Sequence, residues 1–489
     1  MIGALLACAP DPVRYDGQVV AWVPVEDRAD VEAIAALDLW SEHVGDRAWV
    51  RAHPRELARW GDRVEVTIPD VQAAIDAAAP RVPSPLGFFD DWRPLDELDA
   101  HLDELAARVD FASIEEVGLS REGRPIRALS LVVPGAEDRL SVVVFATQHA
   151  REWVAASSAL GLAERLVDGY GVDPVLTAVL DQHPVRIVPV VNPDGYEYTW
   201  TTDRLWRKNR LDNGDGSFGV DLNRNWDAAW GGPGSAALGS SDNYRGEAPF
   251  SEPETLALAE WIEDHPRTGW VLDLHCTGQL ALRPWAFTPT PAPDEDVLAA
   301  ATAAAAAAMG APYGTVYDEG PFHTRLYPGN GVAIDWAYGA QGQWAYLFEL
   351  RDRGQYGFLL PADQIVPTTD EVLAGFLALL ATPERPRMPL AAEGRLTAGD
   401  PIALRVWRAS AGAEVEWYRS TDGLGQTVLA DGVALELANA ERFGVAAASD
   451  KGIATIGFGV PAGMGGRTVW FQARAGAQRS LVLAPTVGP

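Results

Sequence analysis

Two cysteines in 489 residues, Cys8 and Cys276, leave the chain without a disulfide framework. Positive charge is also scarce: 39 Lys and Arg stand against 68 Asp and Glu, a formal charge of −29. Nucleic acid and anionic membranes both demand cationic contacts to phosphate, so neither is an expected partner. No run approaches the ~20 apolar residues that span a bilayer, which excludes a transmembrane segment, and no internal repeat is evident. What is there describes a soluble globular protein, with 47% hydrophobic and 22% charged residues. Its length suits about three domains.

The informative stretch is Thr147-Gln148-His149-Ala150-Arg151-Glu152-Trp153, which follows the apolar run Leu140-Ser141-Val142-Val143-Val144-Phe145-Ala146. A buried strand that ends on His and then Glu delivers two metal ligands to its carboxyl end. An imidazole and a carboxylate suit Zn²⁺, and a catalytic zinc needs a third protein ligand and an open position for water. Alone, H-x-x-E is a weak signal, and a solvated His beside a Glu is the favoured reading. Two further apolar runs change that. Trp270-Val271-Leu272-Asp273-Leu274 ends at His275, and Trp344-Ala345-Tyr346-Leu347-Phe348 ends at Glu349. Open α/β sheets hold their sites outside the carboxyl ends of their strands.

These motifs, with Val220-Asp221-Leu222-Asn223-Arg224-Asn225-Trp226 and Phe348-Glu349-Leu350-Arg351-Asp352, resemble the zinc metallocarboxypeptidases of the carboxypeptidase A/B family. The match runs from about Pro94 to Gln364 and includes Glu122-Gly123-Arg124-Pro125-Ile126, Trp206-Arg207-Lys208 and Ile334-Asp335-Trp336-Ala337-Tyr338.

The resemblance implies one Zn²⁺ per chain, held by His149, Glu152 and His275, with the pKa of a bound water brought towards ~7. Two imidazoles and a carboxylate favour zinc over Mg²⁺ or Ca²⁺. Asp221 falls behind His149, where a carboxylate fixes the ligand's tautomer, or else caps a loop. Cys276 reads as a small buried residue rather than a fourth ligand. Glu349 is the expected general base; the alternative is a salt bridge to Arg351 or Arg353. Arg207 matches the arginine that stabilises an oxyanion, against a surface arginine in a run with Arg204, Lys208 and Arg210. Arg224, beside Asn223, suits a terminal carboxylate through two parallel hydrogen bonds. Tyr327 matches a tyrosine that closes over that carboxylate, and Arg151 a secondary substrate-binding arginine. Ile334 occupies the position that carries an acid in basic-specific members and a base in acid-specific ones. With Leu282 and Ala286 it implies an apolar pocket for an aliphatic or aromatic C-terminal side chain. Arg283 and Thr277 stand where digestive members have tyrosines, and Leu347 replaces a smaller residue, which leaves pocket depth open.

The expected class is α/β: a doubly wound mixed sheet over 82–385, preceded by a small α+β open sandwich over 12–81 and followed by a β-sandwich over 386–489. Residues 12–81 are similar in pattern to the activation segment of family precursors. The stretch Arg81-Val82-Pro83-Ser84-Pro85 reads as a junction open to an activating protease. The first eleven residues, with Leu5-Leu6-Ala7-Cys8, read as the remnant of a secretory or lipoprotein signal acylated at Cys8, against an ordinary cytosolic start. The chain is thus expected to be a secreted or cell-surface monomer made as a precursor, acting on peptide C-termini. A related amidohydrolase on acyl-amino acids or cell-wall peptides lacks a reason to carry Arg207, Asn223, Arg224, Tyr327 and Ile334 together. A surface peptide-binding pseudoenzyme is expected to have lost a ligand or the base.

Overall fold

The computed structural model describes residues 11–34, 37–40, 46–80, 87–381, 390–393 and 401–406, and within 409–483 all but 410–411, 432, 450–452, 460–466, 477 and 481–482. Cys8, the junction at Arg81 and the boundary near Pro386 lie outside the described residues.

The N-terminal unit comprises β1 (Val19–Pro24), α1 (Arg28–Ile34), β2 (Asp38–Leu39), β3 (Arg47–Ala52), β4 (Glu65–Ile68) and α2 (Val71–Ala78). Its sheet has the order β2-β3-β1-β4 with antiparallel pairs throughout. Asp70 starts α2 by accepting a hydrogen bond from Ala73 N at 2.9 Å, which satisfies one of the orphan donors of the first turn. Successive strand residues face opposite ways, and both faces are apolar. Val19, Ala21, Val23, Ala48 and Val50 join Ile34 and Trp60 in a core of their own. Val20, Trp49 and Ile68, with Trp40, belong instead to the core of the next unit. The sheet therefore lies between two hydrophobic layers.

That next unit runs α3 (Leu95–Arg108), β5 (Ala112–Leu119), β6 (Pro125–Leu131), β7 (Ser141–Ala146), α4 (Trp153–Gly169), β8 (Val185–Val188), α5 (Pro253–Asp264), β9 (Thr268–Cys276), β10 (Leu280–Arg283), α6 (Glu295–Gly310), β11 (Asp318–Pro321), α7 (Ala333–Gly339), β12 (Trp344–Leu350) and α8 (Ile365–Leu380), with shorter helices between. The sheet order is β11-β10-β12-β9-β7-β8-β6-β5. Its middle strands β12, β9, β7 and β8 are mutually parallel, while β6 and β10 run antiparallel to their inner neighbours. Every residue of β7, β9 and β12 is buried, as expected of parallel strands covered on both faces. The close approach of α8 depends on Gly375, where an added Cβ would lie 2.7 Å from Met309 and 2.8 Å from Phe348.

The C-terminal region pairs β13 (Leu390–Glu393), β14 (Pro401–Val406) and β19 (Ala454–Gly459) in one sheet, and β18 (Glu441–Ala447), β15 (Glu414–Ser420), β20 (Trp470–Ala475) and β21 (Gln478–Arg479) in another. Leu404, Val406 and Ala454 share a core with Val415, Trp417, Phe471 and Ala473, so the sheets are stacked face to face. The hairpin β16 (Leu424–Val428) with β17 (Ala434–Leu437), and strand β18, were not expected. Most of β16 and β18 is exposed or half-buried, and neither shows the alternation that marks a half-buried strand. Leu483 forms a single antiparallel bridge to Phe471. Among the described residues no helix is long and apolar enough to cross a membrane.

Candidate active site

Strand register brings the expected ligands together. In β9 and β12, Glu349 pairs with His275, and in β7 and β9, Ala146 pairs with Leu274. The chain leaves β7 at Thr147, a non-glycine residue at φ +62° whose hydroxyl donates to Pro189 O at 2.9 Å. Held left-handed backbone of this kind concentrates at functional sites. The turn carries His149 over the end of β9, and Glu152 follows at the start of α4.

The Nδ1 atoms of His149 and His275 lie 3.1 Å apart. Glu152 Oε1 is 2.8 Å from His149 Nδ1, and Oε2 is 3.1 Å from His275 Nδ1. One ligand atom from each falls within 4.8 Å of the others, and all three side chains are buried. Two nitrogens and a carboxylate at this spacing fit a tetrahedral ion with its fourth position open. Cys276 contributes its backbone N–H, donated to Glu152 Oε2 at 3.2 Å.

Both ligand imidazoles are backed from the far side. His149 Nε2 lies 3.1 Å from Asp221 Oδ1, and His275 Nε2 lies 2.9 Å from Asp273 Oδ2. Asp221 also accepts Arg207 Nη2 at 3.0 Å and Asn223 N at 2.9 Å. Burial works to raise its pKa, but Arg207, His149 and Arg224 outweigh it and hold the carboxyl well below its ordinary range. Burial likewise opposes the charge on Glu152, and the two imidazoles overcome it. Sequence reasoning missed Asp273. The signal was present, since a residue two before a ligand in a strand shares that ligand's face.

The remaining expected residues lie in the same structural unit as this cluster. Glu349 is buried, and its neighbours Arg351 and Arg353 pair with Glu371 at 2.6 Å and Asp318 at 2.6 Å. Arg207 is also buried. Its neighbours are engaged too: Arg204 lies over Trp153, Lys208 Nζ donates to Gly239 O at 2.6 Å, and Arg210 lies over Tyr198. The basic run is therefore not a solvated surface. Arg224 donates from Nε to Gly234 O at 2.9 Å and from Nη2 to Tyr327 OH at 2.6 Å. Asn223 Oδ1 accepts from Ala333 N at 3.0 Å, anchoring the start of α7. Ile334, Leu282 and Ala286 are fully buried, and Leu282 stands opposite Leu347 in the β10–β12 pairing. Arg283 points away, to Glu295 at 2.7 Å and Thr302 at 2.9 Å, so it does not shorten the pocket. Asp335, beside Ile334, accepts from Ala286 N at 2.9 Å and Phe287 N at 3.1 Å. Burial nevertheless pushes its carboxyl up to about 7.

Arg151 is enclosed by the N-terminal unit. Its Nη1 donates to Asp38 Oδ1 at 3.1 Å, its Nη2 to Leu39 O at 3.5 Å, and its guanidinium lies 4.2 Å over the Phe358 ring.

The family model described as zinc carboxypeptidase matches residues 98–375. The chain belongs to the zinc carboxypeptidase family. Bovine carboxypeptidase A1 is 32% identical over 409 residues, covering 78% of this chain and 97% of that protein. The mouse carboxypeptidase A1 is 36% identical over 414 residues with the same coverage. Among solved structures, thrombin-activatable fibrinolysis inhibitor superposes with a TM-score of 0.69 at 26% identity, over 75% of this chain and 98% of that one. The carboxypeptidase A of Helicoverpa armigera gives 0.68 at 27%, over 76% and 99%. This carboxypeptidase is accordingly an A-type metallopeptidase and exopeptidase, and His149, Glu152 and His275 form a group able to hold the family's zinc.

Proposed function

We propose that this carboxypeptidase removes single aliphatic or aromatic residues from peptide C-termini, and that 12–81 is an inhibitory segment ahead of a catalytic domain at 82–385 and a β-sandwich at 386–489. The observation that carries the reading is the buried Arg224 paired with Tyr327, in the same structural unit as the metal triad and the buried apolar residues Ile334, Leu282 and Ala286.

When bound, zinc supplies Lewis-acid activation of the attacking water at neutral pH. Arg224 and Asn223 receive the terminal carboxylate, and Tyr327 closes over it. Ile334, Leu282 and Ala286 enclose the side chain. Glu349 takes the water's proton and returns it to the leaving amine. Arg207 faces the developing oxyanion; it is already held by Asp221 and needs no reorganisation to act.

Inhibition follows from the contacts of Asp38 and Leu39 with Arg151. The N-terminal tryptophans reinforce it: a Cβ at Gly354 would lie 2.7 Å from Trp22, and one at Gly357 2.9 Å from Trp40 and Trp49. Both glycines have positive φ, 90° and 57°, so side chains there are disfavoured twice over. A cavity of about 290 Å³ remains between these tryptophans and Thr277, Leu326 and Asp352. The fibrinolysis-inhibitor relative is by its name thrombin-activatable, which supports a proteolytic step near Arg81. Export through a signal ending near Cys8 belongs to the same reading.

The test is a panel of blocked dipeptides varying only in the last residue, on full-length protein and on protein trimmed after Arg81, with and without chelator. Trimmed protein should hydrolyse those ending in aliphatic or aromatic residues, lose activity to chelator and spare C-terminal amides. Equal rates on amides and free acids refute terminal-carboxylate recognition, and equal rates before and after trimming refute inhibition.

A further inference from the structure

The residue behind the second histidine has no place in the reading so far. Asp273 is fully buried in the middle of a parallel sheet, where a carboxylate is costly unless its oxygens are hydrogen-bonded. Its partners are few and specific. Oδ2 receives Gln148 Nε2 at 2.7 Å and faces His275 Nε2 at 2.9 Å, while Oδ1 has no hydrogen-bond partner. Gln148 cannot turn to present its oxygen instead, because Oε1 already accepts Trp226 Nε1 at 2.9 Å. Gln148, Asp273 and Trp226 are all fully buried, so no water competes for these bonds.

We infer that Asp273 is a positioning residue for the metal. Fixed by the Trp226–Gln148 relay, it holds His275 in the Nε2-protonated tautomer with Nδ1 turned to the ion. This rests on the reading of His149, Glu152 and His275 as the triad. The chain runs Trp226 Nε1–H to Gln148, Gln148 Nε2–H to Asp273, and His275 Nε2–H to Asp273; Asn223 Nδ2 also lies near His275 Nε2, but at 3.3 Å it is farther than Asp273 Oδ2 at 2.9 Å, and as a donor it cannot replace the carboxylate as acceptor. Asp221 does the same for His149. A scaffolding role alone would need only a polar partner for Gln148 Nε2. It gives no reason for the same oxygen to face the ligand imidazole, or for Asp273 to sit two residues before His275 on its side of the strand.

Outer partners of ligand histidines typically carry 10- to 100-fold of metal affinity. The test is Asp273→Asn in the full chain, whose amide oxygen can accept both hydrogen bonds while the charge is removed. Zinc affinity is read by competition with a chromogenic chelator, and ligand geometry by the visible spectrum of the cobalt-substituted protein. We expect zinc to bind at least tenfold more weakly and the cobalt bands to shift. A zinc affinity within twofold of wild type, with an unchanged cobalt spectrum, overturns the proposal. His275→Ala separates the two readings: if it still takes up one zinc as tightly as wild type, the triad itself is wrong, whatever Asp273 does. Should Asp273→Asn not fold, Gln148→Met removes the anchor and keeps the charge. A threefold or greater loss of zinc affinity then supports the relay, and no change overturns it.

Discussion

Replacing Asp38 by Asn tests the contact that joins the N-terminal unit to the catalytic face. The exchange is isosteric and keeps an acceptor for Trp40 Nε1 and Arg51 Nε, which lie 2.9 and 2.7 Å from Oδ2. The charge opposite Arg151 and Arg51 is lost, and with it the acceptor of Arg151 Nη1. Burial works to raise the Asp38 pKa, but Arg151 and then Arg51 hold it at about 2 against an ordinary 3.8. That depression corresponds to on the order of 2 kcal/mol in favour of the ionised form. Arg51 belongs to the same unit as Asp38, so only the part owed to Arg151 is lost on undocking, on the order of 1 kcal/mol, or roughly a 5-fold change in the undocked fraction. Full-length Asp38→Asn should therefore hydrolyse a blocked dipeptide severalfold faster than full-length wild type, and no faster than trimmed protein. A depressed carboxyl adds its stability above its free value and loses it as pH falls through the docked one. The wild-type contact should accordingly persist at pH 4 to 5 and fail only towards pH 2. Rates for the variant indistinguishable from full-length wild type, while trimmed protein is fast, would show that this ion pair is not what restrains the enzyme.

Three more outcomes follow from the site. Glu349→Gln should retain one zinc by metal analysis yet lose at least ~100-fold in kcat; near-normal turnover would move the base elsewhere. Ile334→Asp should cut kcat/KM on peptides ending in Phe or Leu by ~100-fold and create turnover of those ending in Lys or Arg, measured on the same blocked dipeptides. Asp335, pushed up to about 7 by burial, keeps its proton in the folded state below neutral pH. It contributes stability that is complete below ~4 and drains away as pH rises through 7, on the order of 4 kcal/mol. Urea midpoints should show that slope in wild type and lose it in Asp335→Asn.

The ligands were legible because they sit at the ends of continuous apolar runs, and a buried strand stops at polar chemistry only for a reason. Asp273 was passed over because it lies inside the run Trp270–Leu274, where a single acid looks like noise until the strand's facing is known. The contact of Asp38 with Arg151 spans 113 residues, and nothing in either local sequence announces it. Arg283 misled because its position in the chain says where a residue stands, not which face of β10 it occupies. On that strand it falls on the side of α6 and β11, where Glu295 and Glu319 receive it.

Register explains why pocket and chemistry are one construction. Across the sheet, Leu280, Glu349 and His275 form one row, and Leu282, Leu347 and Asp273 form the next. In β12 Leu347 and Glu349 share a face, two residues apart, and in β9 Asp273 and His275 repeat the arrangement. A slip of one residue in either strand would turn every one of these side chains to the opposite face, so the fully buried middle of the sheet fixes catalysis as firmly as it fixes the fold. The same coupling limits how the pocket can change. Resizing Leu347 or Leu282 disturbs a close-packed row next to the base and the ligand, at a cost of about 2 to 5 kcal/mol for truncation to Ala. Ile334 on α7 and Ala286 on the loop after β10 stand outside those rows. An exchange at either leaves the paired residues of β9, β10 and β12 in place, which is why the Asp exchange is placed at Ile334 rather than on a strand.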